Sequence, residues 1–217
     1  MDDGDEASIL GLEEFEFDVR LKKMLQEKWG INSLFPPQAE ALPNSLKGRN
    51  LMLAVPTASG KSLVAHITLA NRLIGDLSGQ RGIYIVPLKA LASEKYEELK
   101  QVCSSVGLKV GLAIGDRSSE TSLVENSDVL VCTSEKLDSM LRSKPSLLDD
   151  IGIVVADEFH LLQDPSRGPT LEILLSRIRH SSPRVQILAL SATVGNAQEL
   201  SCLLYTSDAA DDVSSVD

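Results

Sequence analysis

Val55-Pro56-Thr57-Ala58-Ser59-Gly60-Lys61-Ser62 follows a short apolar run, residues 51–55, and opens a segment patterned as a helix, residues 62–74. Strand, tight loop and helix in that order make a cradle for an anion. Thr57, Ala58, Ser59 and Gly60 are all small, so consecutive backbone N–H groups can converge on phosphate oxygens without obstruction. The helix beginning near Lys61 adds its positive dipole end. Lys61 supplies a point charge for phosphate, and Ser62 a hydroxyl for a divalent metal. Val55 stands where the strict form of this motif has glycine.

Outward from the loop, the chain alternates. Apolar runs at residues 82–86, 110–114, 128–132, 151–156 and 186–190 join 51–55 as expected strands. Between most of them lie helical patterns at 62–74, 90–106, 136–141 and 169–178. Upstream, an amphipathic helix is expected over 19–29. A second is expected over 38–46, behind Pro36-Pro37, since proline suits a first helical turn. Continuously apolar strands alternating with helices predict an α/β fold: a central, mostly parallel sheet with helices on both faces.

The strand at 151–156 ends in Asp157-Glu158-Phe159-His160. Ligands of open α/β sheets bind at the carboxyl ends of strands. Two adjacent carboxylates there are costly to desolvate unless a cation offsets them. Asp157 is therefore expected to hold Mg²⁺ together with Ser62, and Glu158 to orient and deprotonate an attacking water. With Lys61 they form the expected catalytic set. His160 is a candidate for coupling the nucleotide site to a partner domain.

Together these segments resemble superfamily 2 helicases of the DExH type, over about residues 19–201. Phe35-Pro36-Pro37-Gln38 resembles the upstream glutamine motif, in which Gln38 would read the adenine edge. Pro87-Leu88-Lys89-Ala90-Leu91-Ala92 with Glu94-Lys95-Tyr96 resembles motif Ia, Thr133-Ser134-Glu135-Lys136 resembles motif Ib, and Ser191-Ala192-Thr193 resembles motif III. Arg167-Gly168-Pro169-Thr170-Leu171-Glu172 resembles the Ski-like branch, which includes archaeal fork-repair helicases and the helicase domain of polymerase theta. The resemblance implies the N-terminal RecA-like, P-loop NTPase domain of an ATP-dependent DNA helicase, with ATP and Mg²⁺ as cofactors. Translocation from 3′ to 5′ and work on forked or damaged DNA follow from it as expectations. Lys89, Gly115, Asp116, Thr133 and Ser134 would line a track for single-stranded or forked DNA through phosphate contacts. Ser191 and Thr193 would link nucleotide state to strand grip. Motif chemistry leaves an RNA helicase open, and a non-hydrolysing ATP-binding module as well. A second, C-terminal RecA-like domain with its arginine fingers is expected as partner.

The formal net charge of −10 is concentrated at the ends. Residues 1–18 hold eight acids and residues 202–217 hold four, with no base in either. The 21 Lys and Arg between them face 19 acids, so the acidity does not exclude a nucleic-acid partner. Residues 1–18 are expected to form an acidic flexible tail, although Leu10, Leu12, Phe15 and Phe17 could dock. Residues 202–217 are expected to be non-native or disordered; their Cys202–Asp212 portion resembles translated sequencing adapter, with a genuine acidic tail as the alternative. Cys103, Cys132 and Cys202 show no metal-ligand spacing, and Cys132 is expected to be a buried strand residue. No run of about 18 apolar residues occurs, so no membrane span is expected. The acidic start lacks the features of a secretory signal. A cytoplasmic location is expected, with nucleoid association in an archaeon or nuclear entry in a eukaryote.

Overall fold

The computed structural model describes residues 10–56, 60–115 and 126–192. Two short strands, β1 (Leu10–Gly11) and β2 (Ser33–Leu34), pair antiparallel beside helix α1 (Val19–Trp29). Helix α2 (Pro36–Leu46) leads into β3 (Leu51–Ala54), followed by α3 (Lys61–Ile74), β4 (Arg81–Val86), α4 (Lys89–Ser104) and β5 (Val110–Ala113). Then come β6 (Val129–Thr133), α5 (Ser134–Ser143), β7 (Ile151–Ala156), α6 (Gly168–Ser181) and β8 (Gln186–Ser191). Strands β3 to β8 form one six-stranded sheet in the order β3-β8-β7-β4-β6-β5, every neighbouring pair parallel. The expected α/β class is what the chain adopts.

Because side chains alternate across a strand, each strand feeds two cores. Leu51, Leu53, Tyr84, Val86, Val129, Val131, Ile153, Val155, Leu188 and Leu190 face helices α1 to α4. Met52, Ile83, Ile85, Leu130, Cys132, Val154, Ile187 and Ala189 face α5 and α6. Burial on both sides is why the strands read as unbroken apolar runs. Cys132 lies fully buried there, as expected, and burial pushes its thiol up to about 12. Cys103, also buried, is raised to about 12 by burial and by nearby Asp128.

The expectation of a flexible tail over 1–18 does not hold for its described part. Leu12 is fully buried and Phe15 nearly so, both in the core beneath α1. Asp18 caps α1 by accepting from Arg20 N, and its own N–H donates to Asn71 Oδ1 on α3 at 2.9 Å. The acids of this segment stand on its exposed side and masked the apolar residues between them. Residues 1–9 and 193–217, including Cys202, lie outside the described residues. Among the described residues, no helix is long and apolar enough to cross a membrane.

Candidate functional site

The strand order divides the carboxyl edge of the sheet into two halves. One half is β3-β8-β7. Ala54 pairs with Ser191, and Ala156 with Ala189, so the phosphate-loop candidate, the Ser-Ala-Thr segment and the Asp-Glu pair leave adjacent strands. Val55 N–H donates to Ser191 O at 3.3 Å and continues that pairing into the loop. The other half is β7's neighbour β4 with β6 and β5. There Val86 pairs with Thr133 and Ala113 with Cys132, which lines up the three nucleic-acid candidate segments.

In the loop, Gly60 has φ of 71° and caps the N-terminus of α3. A Cβ there would collide with Gln38 Nε2, so glycine is required by both conformation and space. Gln38 is 3% exposed and its amide is engaged by the backbone. Oε1 accepts from Phe35 N at 3.0 Å, which caps α2, and Nε2 donates to Gly60 O at 3.0 Å. Gln38 thus clamps the start of α2 to the loop. Lys61, first residue of α3, is 6% exposed. Among the described residues, no carboxylate pairs with its ammonium. Thr57, Ala58 and Ser59 lie outside the described residues.

At the end of β7, Asp157 is 7% exposed, and among the described residues no cation pairs with it. Its Oδ1 accepts from Glu158 N at 2.9 Å, and its Oδ2 accepts from the Tyr84 hydroxyl at 2.9 Å. Glu158 is left-handed, with φ of 52°, and is the only non-glycine residue with positive φ among those described. Strain of this kind costs on the order of 1–3 kcal/mol and concentrates at functional sites. Here it breaks the strand, so that Asp157 and Glu158 need not alternate across it. The Glu158 carboxylate lies 3.4 Å from His160 Nδ1, and Ala192 N–H reaches the same nitrogen at 3.4 Å. His160 thereby touches the Ser-Ala-Thr segment. Ser191 is buried and donates to Ala192 O at 2.8 Å; Thr193 lies outside the described residues.

These groups share a cavity of about 810 Å³, lined by Gln38, Gly60, Lys61, Ser62, Asp157 and Glu158 among others. It continues between the end of α1 and helix α4, where Trp29, His66, Lys95 and Glu98 contribute. A buried ammonium and a buried carboxylate are each costly without an opposite charge, even where the carboxylate is hydrogen bonded. The donor set fits a polyphosphate carrying a divalent cation: Lys61 and the α3 N-terminus for anionic oxygens, Ser62 and Asp157 as hard oxygen ligands.

Three residues of this site were not expected from the sequence. Tyr84 is a polar group inside an apolar strand, and that is its only signal. Lys95 reads as a solvated helix position. Its side chain instead turns inward, donating to Ser62 Oγ at 3.3 Å and to Glu98 Oε2 at 2.9 Å. His66 is 1% exposed, edge-on to Trp29 and tilted against Tyr84, with neither ring nitrogen hydrogen bonded. Although Glu98 Oε2 lies 3.8 Å from its Nε2, burial dominates, assisted by the Lys95 charge, and holds the imidazole down at about 3. His66 is therefore neutral, and the Glu98 contact is no ion pair.

Along the other half of the edge, Lys89 begins α4 and is exposed. Thr133 is buried and caps α5, its Oγ1 accepting from Lys136 N at 3.3 Å; Ser134 is buried behind it. Lys136 Nζ donates to Gly115 O, tying the end of β5 to α5. Asp116 lies outside the described residues. In the Arg167–Glu172 segment, Gly168 packs so closely on the Leu162 carbonyl that no Cβ would fit. That contact seats α6 against the turn carrying His160.

A family model described as DEAD/DEAH box helicase matches residues 35–200. The ATP-dependent DNA helicase Hel308 of Thermococcus kodakarensis is 48% identical over 190 residues, 87% of this chain and 16% of that protein. Among solved structures, the DUF1998 helicase MrfA bound to DNA aligns with a TM-score of 0.77 at 24% identity, over 92% of this chain and 30% of that one. The Mycobacterium smegmatis helicase Lhr bound to ssDNA and AMP-PNP aligns with a TM-score of 0.74 at 28% identity, over 85% of this chain and 26% of that one. The chain spans less than a third of each of these proteins. The family model covers more than half of the chain, and the chain belongs to the DEAD/DEAH box helicase family.

Proposed function

We propose that this chain is the ATP-binding, RecA-like unit of an ATP-dependent DNA helicase, with the domain occupying residues 19–201. The observation that carries the reading is the pair of buried opposite charges, Lys61 and Asp157, which line one cavity at the α3 N-terminus and have no ionic partner among the described residues. ATP would lie with its phosphates against residues 57–62. Mg²⁺ held by Ser62 and Asp157 would supply the charge that offsets the phosphate oxygens. Lys61 stabilises the charge that develops on the terminal phosphoryl group. Glu158 orients a water and takes its proton as the new P–O bond forms and the bond to the bridging oxygen breaks. The backbone strain at Glu158, of a kind that concentrates at functional sites, and its place in the cavity lining support this assignment.

His160 touches both Glu158 and Ala192, so it is placed to pass the state of the nucleotide to Ser191 and Thr193. Gln38 would read adenine only after exchanging its Gly60 contact for the base, which makes it a sensor as well as a clamp. Lys89, Gly115, Asp116, Thr133 and Ser134 would follow the phosphates of one strand, with 3′-to-5′ movement. DNA is favoured over RNA because Hel308 is named a DNA helicase and the MrfA and Lhr structures hold DNA. Closure against a second RecA-like domain would complete the motor.

The test is Glu158→Gln in the longer parent protein. ATP affinity should stay within about threefold while DNA-stimulated turnover falls at least about 100-fold, the usual contribution of a general base. Retained turnover would remove Glu158 as the base.

A further inference from the structure

Two hydrogen bonds reach the proposed metal ligands from neighbouring elements. Lys95 Nζ donates to Ser62 Oγ at 3.3 Å. Burial, and then the Asp157 charge, keep the Tyr84 phenol well above its usual range. The Tyr84 hydroxyl donates to Asp157 Oδ2 at 2.9 Å. The first joins helix α4 to helix α3, and the second joins strand β4 to the end of β7.

The placement follows from register. Tyr84 pairs with Val155, and alternation returns to the same face at position 157. Tyr84 is fully buried, so phenylalanine would fill the same core space. Only the hydroxyl distinguishes the two, and the group it meets, the Asp157 carboxylate, is an oxygen ligand proposed above. A carboxylate has about four lone-pair positions. Glu158 N and Tyr84 occupy one on each oxygen and leave the rest for a cation.

We infer that Tyr84 is a positioning residue for the proposed metal site, its hydroxyl fixing the rotation of the Asp157 carboxylate. Tyr84 also stands on β4, which leads directly to Lys89, so the nucleotide half of the sheet edge is pinned to the nucleic-acid half at this bond. The inference rests on the reading of the cavity as a nucleotide–metal site. Second-sphere partners of metal ligands are typically worth about 10- to 100-fold in metal affinity.

The experiment is a fluorescence titration of N-methylanthraniloyl-ADP with the 217-residue chain, first in EDTA and then against MgCl₂. Tyr84→Phe should leave the EDTA affinity within about twofold and raise the half-saturating MgCl₂ concentration by about 10-fold or more. A double-mutant cycle adds the mechanism: in an Asp157→Asn background, Tyr84→Phe should shift the MgCl₂ titration no further. The inference is overturned if the MgCl₂ titrations of wild type and Tyr84→Phe coincide. It is equally overturned if affinity falls alike with and without Mg²⁺, or if the two substitutions act additively. If the wild-type chain binds the nucleotide analogue in no condition, the underlying nucleotide reading fails instead.

Discussion

Acid should weaken this fold through His66. The imidazole is held neutral at about 3 by burial and by the Lys95 charge, against 6.5 for an exposed histidine. The groups facing it are Lys95 and Glu98 on α4 and Tyr84 on β4, and Glu98 is already paired with Lys95. Because the folded-state pKa is depressed, the unfolded chain binds the proton first. The stabilisation is complete above about pH 6.5 and is lost as pH falls toward 3, by about 1.4 kcal/mol per unit. Between pH 6.5 and 4.5 this amounts to about 2.7 kcal/mol, or about 5–10 °C in Tm for a domain of this size. His66→Leu removes the titration while keeping an apolar side chain of similar volume. Thermal unfolding of both proteins across this range isolates the effect, since all other carboxylates titrate in common and any packing cost is a constant offset. Wild type should lose about 2.7 kcal/mol more than the variant. Parallel stability curves would refute the assignment of a buried, neutral His66.

Gly60→Ala places a Cβ at φ of 71° against the Gln38 amide. It should cost about 1–2 kcal/mol in urea unfolding and weaken nucleotide binding, both measured on the same preparations. Asp18→Ala removes the α1 cap and should destabilise by about 1 kcal/mol, whereas Asp18→Asn should retain most of it. Among the described residues no arginine lines the cavity. On the proposed function, this chain alone should therefore hydrolyse ATP about 10³-fold or more slowly than the same chain joined to a second RecA-like domain, read in a phosphate-release assay, the scale of an arginine finger.

The sheet was legible in the sequence because strands buried on both faces have nothing polar to interrupt them, and each of the six expected runs is a strand within a residue or two. The site's backbone was legible for a related reason: a small-residue loop and an acidic pair at strand ends are unusual chemistry in a core. What could not be read was anything set by the crossing of distant elements. Lys95 has the spacing of a surface residue, and only the packing of α4 on α3 turns it toward Ser62. Tyr84 gains its meaning from β7, which lies beside β4 although separated from it by β5 and β6 in the chain. The docking of Leu12 and Phe15 was hidden by the acids around them, because charge pattern reports the exposed side of a segment and is silent about its buried one. Gln38 was recognised for its resemblance to a base-reading residue; its bonds to Phe35 N and Gly60 O show a clamp that the motif alone does not reveal.

The pairing of Lys61 and Asp157 with a metal–triphosphate is tested most directly by calorimetric titration of the 217-residue chain with ATP and MgCl₂. The wild-type chain should bind with a Mg²⁺-dependent affinity, and Lys61→Ala should weaken it by at least about tenfold, equivalent to about 1.4 kcal/mol. Equal affinity in the two proteins, or binding indifferent to Mg²⁺, would contradict the account.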